Sequence, residues 1–307
     1  MDNKSTAISI TDVSKTYGRG EKSVTAVRNL SLEVQTNQVY GFLGPNGAGK
    51  STTIRMMMGL LHLDRGDIQI FGKSIRQDKK ALEHVGSLIE GASFYDFLSG
   101  YKNLEVLSRV RNCHDHDQLQ LLLEQVRLAK DAHRPVQGYS TGMKQRLGMA
   151  AALLGQPDLV ILDEPTNGLD PNGIKEMRRF IRNLATVYGK TVFLSSHLLS
   201  EVEQVCDRVA IIHKGQVVRE GMVTDLLEEE AQVTIETDSV EKAIALFQDK
   251  QVTAINRCDF TISAKREEIP TIIRQLVAND VDLYQVKTKR QTLEDFFLSV
   301  TGVGEDD

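Results

Sequence analysis

The sequence of 307 residues has few cysteines and no long apolar run. The cysteines, Cys113, Cys206 and Cys258, are odd in number and far apart, which argues against a disulfide framework and favours a reducing compartment. No stretch approaches the roughly 18 uninterrupted apolar residues of a membrane span. Residues 1–5 are polar and lack the apolar core of a signal peptide. We therefore expect a cytosolic protein that would act at a membrane only through a partner subunit.

An excess of positive charge is also missing, since 37 basic and 42 acidic residues give a net charge of -5. This balance argues against a dedicated nucleic-acid binder, which usually carries a basic patch. The apolar content of 41% and the charged content of 26% are ordinary for a soluble globular protein. The length is sufficient for two domains.

A stretch at residues 44–52 matches the phosphate-binding loop pattern, in which a glycine and four further residues precede Gly-Lys-Ser. In order, it consists of Gly44, Pro45, Asn46, Gly47, Ala48, Gly49, Lys50, Ser51 and Thr52. The apolar run at residues 39–43 predicts a buried strand before it, and residues 53–58 predict the first turns of a helix after it. This context favours a real phosphate loop over a glycine-rich turn that fits the pattern by chance.

The residue types in this loop suit a triphosphate. Glycines let successive backbone N–H groups turn toward an anion, and the N-terminus of the following helix adds positive potential. We expect Lys50 to supply a charge to the β- and γ-phosphates and Ser51 to ligate Mg²⁺. The predicted cofactors are therefore ATP and Mg²⁺.

Two acids follow a second apolar run, at residues 159–162. Asp163 lies where the carboxyl end of a strand would meet the phosphate loop, which is the expected place for an acid that organises Mg²⁺. Glu164 is placed to orient or deprotonate water. An acid that caps a strand end would explain one carboxylate but not two. His197 ends another predicted strand, and although a lone histidine is usually structural, it could reach a γ-phosphate here.

Two further features have both a functional and a structural explanation. Tyr17 precedes a predicted hairpin tip at residues 18–22 and could stack on a nucleotide base or pack on its neighbours. Residues 113–117, Cys-His-Asp-His-Asp, have the composition of a metal site. Adjacent ligands cannot all point one way, so we favour a solvated loop between helices.

Together these motifs resemble the ATP-binding subunit of an ABC transporter over about residues 7–224. Residues 139–146 are similar to the signature motif of that family, with Ser140 and Gly142 retained and Thr141 in place of a glycine.

Three further features complete the resemblance. Residues 167–170, which end at Asp170, resemble the D-loop of the family. Tyr17 matches its adenine-stacking aromatic and His197 its switch histidine.

The resemblance implies that the signature of one chain closes over the ATP held by another. With one phosphate loop and one signature, the chain is expected to form a homodimer, or to pair with another ATPase subunit, with nucleotides at the interface. It also implies a separate transmembrane permease, no nucleic-acid partner, and a cytoplasmic location on the inner face of the cell membrane. Lys50, Glu164 and His197 are then the catalytic residues.

One position departs from the family pattern. Glu90 stands where the family usually carries a glutamine that helps to position Mg²⁺ and water. A carboxylate can ligate Mg²⁺ but donates no hydrogen bond when ionised. The expected metal ligands are therefore Ser51, Glu90 and Asp163. Glu90 and the C-terminal residues 292–302 resemble the bacitracin-resistance and lantibiotic-immunity subfamily of exporters.

The chain changes character at an acidic run over residues 225–230. We predict a nucleotide-binding domain over residues 1–224, with a helical insert at about 86–154, and an accessory domain over residues 225–307. The fold class is α/β, a P-loop NTPase with a RecA-like core and an antiparallel β-layer. The accessory domain is α+β, and its predicted order β-α-β-β-α-β resembles a ferredoxin-like unit.

The expected function is that of an ATP-hydrolysing motor subunit of an exporter for antimicrobial peptides or antibiotics. A soluble ABC-type ATPase acting on ribosomes or DNA is an alternative, although such proteins resemble tandem duplicates or carry long coiled-coil inserts. A nucleotide-gated regulator without turnover is another, against which Glu164 and His197 argue.

Overall fold

The computed structural model describes residues 5–89, 93–228, 231–247, 252–289, 292–294 and 297. The chain divides after Glu220 into two compact units. The predicted domain boundary at residue 224 lies close to this division. None of the helices in the described ranges combines the length and apolarity needed to cross a bilayer.

Two sheets form the framework of the first unit. Its strands are β1 (Thr6–Tyr17), β2 (Val24–Gln35), β3 (Val39–Leu43), β4 (Arg65–Ile70), β5 (Lys73–Ser74), β6 (Val85–Leu88), β7 (Leu159–Asp163), β8 (Thr191–Ser196), β9 (Arg208–His213) and β10 (Gln216–Met222). The antiparallel sheet has the order β2-β1-β4-β5. The central sheet has the order β10-β9-β3-β8-β7-β6, and its strands from β9 to β6 run parallel. The predicted RecA-like core with an antiparallel layer is thereby confirmed.

The core lies between these two sheets. Ile8 and Val13 of β1 share one apolar cluster with Phe42 of β3 and Phe193 of β8. Strands β3, β7 and β8 are buried along their whole length, as the continuous apolar sequence of a parallel strand indicates. The carboxyl ends of parallel strands meet at one edge of the sheet, so the residues that follow these strands lie together.

Helices connect the parallel strands. They are α1 (Lys50–Met57), α2 (Gly100–Val110), α3 (His116–Gln125), α4 (Thr141–Ala152), α5 (Pro171–Thr186) and α6 (Leu199–Val205). Residues 113–115 lie between α2 and α3, and Asp115 caps α3 by accepting hydrogen bonds from the backbone N–H groups of Asp117 and Gln118. The expected start of the helical insert near residue 86 differs from the structure. Residues 85–88 form β6, because they pair with β7 in the central sheet, and the first helix of the insert is α2.

The second unit has its own sheet and core. Its elements after α7 (Val223–Glu228) are β11 (Ala231–Thr237), α8 (Val240–Ala245), β12 (Val252–Ala254), β13 (Asp259–Ala264), α9 (Ile269–Ala278) and β14 (Leu283–Lys289). The antiparallel order β12-β13-β11-β14 is that of a ferredoxin-like sheet, as predicted. Val233, Ile235, Phe260 and Ile262 alternate along the strands and pack against Leu276 of α9. Most of the C-terminal stretch at residues 292–302 lies outside the described residues.

Gly86 provides a test of how β6 packs against the insert. A Cβ at this position would overlap the backbone carbonyl oxygen of Ala152 at the end of α4, and a backbone atom cannot rotate away. We expect Gly86→Ala to cost about 1–3 kcal/mol and to lower the melting temperature by several degrees in calorimetry. Gly142→Ala is the control, because its added methyl group meets Leu169 Cδ2 at 3.6 Å. Equal melting temperatures for the two variants would contradict this packing.

Candidate functional site

The loop between β3 and α1 is held tightly by backbone on two sides. Gly49 is the N-cap of α1, with a φ of 109° that disfavours any residue with a side chain. A Cβ on Gly49 would lie 2.5 Å from the carbonyl oxygen of Ala26. A Cβ on Gly44 would overlap the carbonyl oxygen of Ile212. Both glycines are therefore required for the loop to lie this close to β2 and β9.

Lys50, the first residue of α1, bends back over this loop. Its side chain is 6% exposed, and Nζ donates hydrogen bonds to the carbonyl oxygens of Gly44, at 2.7 Å, and Pro45, at 3.2 Å. The same Nζ lies 3.4 Å from Oε1 of Glu164. A buried ammonium group needs such partners because an unpaired charge is costly away from water. The result is a positive charge fixed at the loop, beside an acid.

The two predicted acids lie at the carboxyl end of β7. Asp163 is the buried last residue of β7, and Glu164 follows with a φ of 49°, in the left-handed region. Oε2 of Glu164 lies 2.7 Å from Nδ1 of His197, which follows β8. The carboxylate of Glu164 therefore lies between Lys50 and His197, and this arrangement can place a base beside a bound phosphate.

Ser195 is a residue of this site that sequence reasoning missed. Its Oγ donates to Oδ1 of Asp163 at 2.5 Å and accepts from the backbone N–H of Glu164 at 3.1 Å. The available signal was a hydroxyl in the strand that ends at His197. Its significance depends on the register of β7 and β8, which the sequence alone does not give.

The signature residues lie in a different part of the first unit. Ser140 caps α4, with Oγ accepting a hydrogen bond from the backbone N–H of Met143 at 3.3 Å. Asp170 caps α5 in the same way, with Oδ1 accepting from Gly173 at 3.0 Å. Ser140, Gly142 and Asp170 line one cavity of about 590 Å³, and among the described residues that line it none belongs to the loop at 44–52.

The remaining predicted residues are Tyr17, Ser51 and Glu90, of which the structure describes the first two. Tyr17 ends β1, with its side chain 39% exposed, and Nζ of Lys15 lies 5.9 Å from the centre of its ring. Ser51 is half-buried in the first turn of α1, which packs against β7. Glu90 lies outside the described residues. Stacking of Tyr17 on a base and ligation of Mg²⁺ by Ser51, Glu90 and Asp163 stay predictions.

The chain is similar to a known protein family, to named relatives and to solved structures. Residues 27–167 match the family described as ABC transporter. The chain is 38% identical to the bacitracin transport ATP-binding protein BcrA of Bacillus licheniformis, over 98% of this chain and 99% of that protein. It is 39% identical to the lantibiotic transport ATP-binding protein SrtF of Streptococcus pyogenes, over 69% of this chain and 90% of that one. A solved structure of an ATP-binding subunit of an ABC transporter is similar with a TM-score of 0.63 and 28% identity, over 72% of this chain and 91% of that one.

Asp64 fixes the strand end that carries Tyr17, and this contact can be tested by pH. Hydrogen bonds from Lys15 and from the backbone N–H of Thr16 lower the pKa of Asp64. A folded-state pKa below the unfolded value gives stability that is present above the unfolded pKa and is lost as the pH falls through the folded pKa. We expect Asp64→Asn to lower stability at pH 7 by at most about 1 kcal/mol, because the pair is partly exposed.

The difference between wild type and Asp64→Asn should shrink as the pH falls below about 4. Melting temperatures measured from pH 7 to pH 3 test this. A difference that is the same at every pH would contradict the assignment.

Proposed function

The chain belongs to the family of ABC transporter ATP-binding subunits, and from this premise we propose that it drives a separate permease that exports an antimicrobial peptide such as bacitracin or a lantibiotic. As a member of this family it is an ATP-driven transport motor. The observation that carries the proposal is the cluster of Lys50, Glu164 and His197 beside the loop at 44–52. The names of the two relatives support the class of cargo.

Each side chain of the cluster has a distinct role in hydrolysis. Backbone N–H groups of the loop and the N-terminus of α1 hold the phosphates, and Lys50 adds a positive charge. Glu164 orients and deprotonates the attacking water. His197 holds the carboxylate of Glu164 through the 2.7 Å contact and faces the γ-phosphate. Tyr17 stacks on the adenine through its exposed ring.

Mg²⁺ fits the oxygen donors near this cluster. The hydroxyl of Ser51 and the carboxylate of Asp163 are the hard oxygen ligands that Mg²⁺ prefers, and the packing of α1 on β7 supports their proximity. Glu90 is a further predicted ligand. When bound, the ion neutralises phosphate charge.

A pair of chains is needed to complete each nucleotide site. Ser140 and Gly142 open α4, whose N-terminus suits a γ-phosphate, yet the cavity that they line excludes the loop at 44–52. The signature of one chain therefore binds the nucleotide held by the loop of its partner. Asp170 lines the same cavity as the signature residues. The partner is a second copy of this chain or another ATPase subunit.

The permease docks on the segment that follows Glu90 in the sequence, where two aromatic side chains are exposed. Tyr95 and Phe97 are 55% and 73% exposed, and their ring centres are 5.9 Å apart. Exposed neighbouring aromatics are typical of a protein interface. The chain thereby works on the cytoplasmic face of the membrane, and the net charge of -5 disfavours a nucleic-acid partner.

The variant Glu164→Gln tests the two-chain site. It keeps the size of the side chain but removes the base, so we expect ATP binding to persist and turnover to fall by about 10²-fold or more. Because ATP is bound but not hydrolysed, the variant should accumulate as an ATP-bound dimer, which light scattering with ATP and Mg²⁺ would detect. Glu105→Gln is the matched control, because Glu105 pairs with Lys102 and Arg109 on α2. A Glu164→Gln protein that stays monomeric with ATP would argue against the shared site.

The variant Lys50→Ala tests the link between ATP and export. Loss of the charge at the loop should abolish binding of a fluorescent ATP analogue. In a sensitive host that also makes the permease, the variant should lower bacitracin or lantibiotic resistance to that of cells without the ATPase. Lys102→Ala, which removes an exposed lysine of α2, should leave resistance unchanged. Full resistance with Lys50→Ala would refute ATP-driven export of these compounds.

A further inference from the structure

Ser195 is a buried hydroxyl that contacts both acids at the end of the neighbouring strand. Its side chain is 0% exposed. The single hydroxyl proton goes to Oδ1 of Asp163, at 2.5 Å, and a lone pair accepts the backbone N–H of Glu164, at 3.1 Å. A hydrogen bond to a carboxylate is among the stronger kinds in proteins, and a buried one is shielded from competition by water. One side chain thereby links the two acids.

The register of the strands places this hydroxyl. Asp163 pairs with Ser195 across the parallel ladder of β7 and β8. Side chains alternate between the faces of a strand, so Ser195 and the adjacent Ser196 project to opposite faces. The Oγ of Ser196 accepts a hydrogen bond from the backbone N–H of Leu198 at 2.9 Å. The two serines therefore have different hydrogen-bond partners, although they are neighbours in the sequence.

The backbone of Glu164 depends on such a contact. A φ of 49° is uncommon for a residue other than glycine, and it persists only when the surroundings hold it. Ser195 holds the N–H of Glu164, and the backbone N–H of Asn167 holds its carbonyl oxygen at 3.1 Å. This conformation directs the side chain of Glu164 toward Lys50 and His197.

We propose that Ser195 is a positioning residue that sets the orientation of the Asp163 carboxylate for Mg²⁺ and of Glu164 for the attacking water. The inference rests on the proposed ATP hydrolysis and deepens it. Ser195 contacts neither the nucleotide nor water in this role. It acts through the two acids, in the way that residues behind a metal ligand orient that ligand.

The metal dependence of nucleotide binding separates this role from a general contribution to stability. The substitution Ser195→Ala removes the hydroxyl and should weaken the binding of ATP with Mg²⁺ by about 10- to 100-fold. Binding of ATP in EDTA should change little, because the loop at 44–52 and Lys50 are untouched. The Mg²⁺ concentration needed for half-maximal turnover should rise, and kcat should fall more than KM changes.

Ser108→Ala is the matched control. Ser108 is also 0% exposed, and its Oγ donates to the carbonyl oxygen of Glu105 at 2.8 Å and lies 3.1 Å from Nδ1 of His114. It lies in α2, outside the acid cluster, so its variant should keep the wild-type ratio of the two ATP affinities. Ser195→Thr keeps a hydroxyl and should recover part of the metal dependence.

The experiment titrates a fluorescent ATP analogue into wild type and the three variants, with Mg²⁺ and with EDTA, alongside melting temperatures. A wild-type ratio of affinities in Ser195→Ala would overturn the inference, as would an equal change of that ratio in Ser108→Ala. If wild type itself neither hydrolysed ATP nor bound it more tightly with Mg²⁺, the proposed function would fail first. The two failures are therefore distinguishable.

Discussion

The parallel pairing of β3, β7 and β8 is the constraint on which the candidate site depends. Leu43 pairs with Ser196, and Asp163 pairs with Ser195, so the strands end at nearly the same level. Each strand is buried along its whole length, and the polar side chains of Asp163, Ser195 and Ser196 lie in the last residues of β7 and β8. The burial that stabilises the sheet therefore also gathers the charged groups at one edge.

The charged groups at that edge stabilise one another. Lys50 is nearly enclosed, and it is tolerable there because two carbonyl oxygens and Glu164 surround it. Glu164 in turn contacts His197, while Asp163 is held by Ser195. A polar network whose members all have partners tends to hold a site in one arrangement, and loss of one partner would leave a buried charge unpaired. Rigidity of this kind is what a site for phosphate and metal requires.

The same unit carries a cavity that the loop at 44–52 does not line. Ser140 and Asp170 each cap a helix, α4 and α5, and both line one cavity. Each capping oxygen accepts a hydrogen bond from a backbone N–H group in the first turn of its own helix, so these N-termini are ordered without a ligand. Under the proposed function, nucleotide recognition is divided between this surface and the loop at 44–52 of a second chain, so two chains act together.

The sequence by itself determined the strand, loop and helix around residues 44–52, the acids at the end of β7, the histidine after β8 and the element order of the second unit. These are local patterns, in which residue type and spacing along a single strand, loop and helix specify the chemistry. Only the tertiary structure decided that residues 85–88 join the central sheet and that Ser195 links Asp163 to Glu164. Those contacts join segments 31 or more residues apart, and their register follows from how the whole sheet packs.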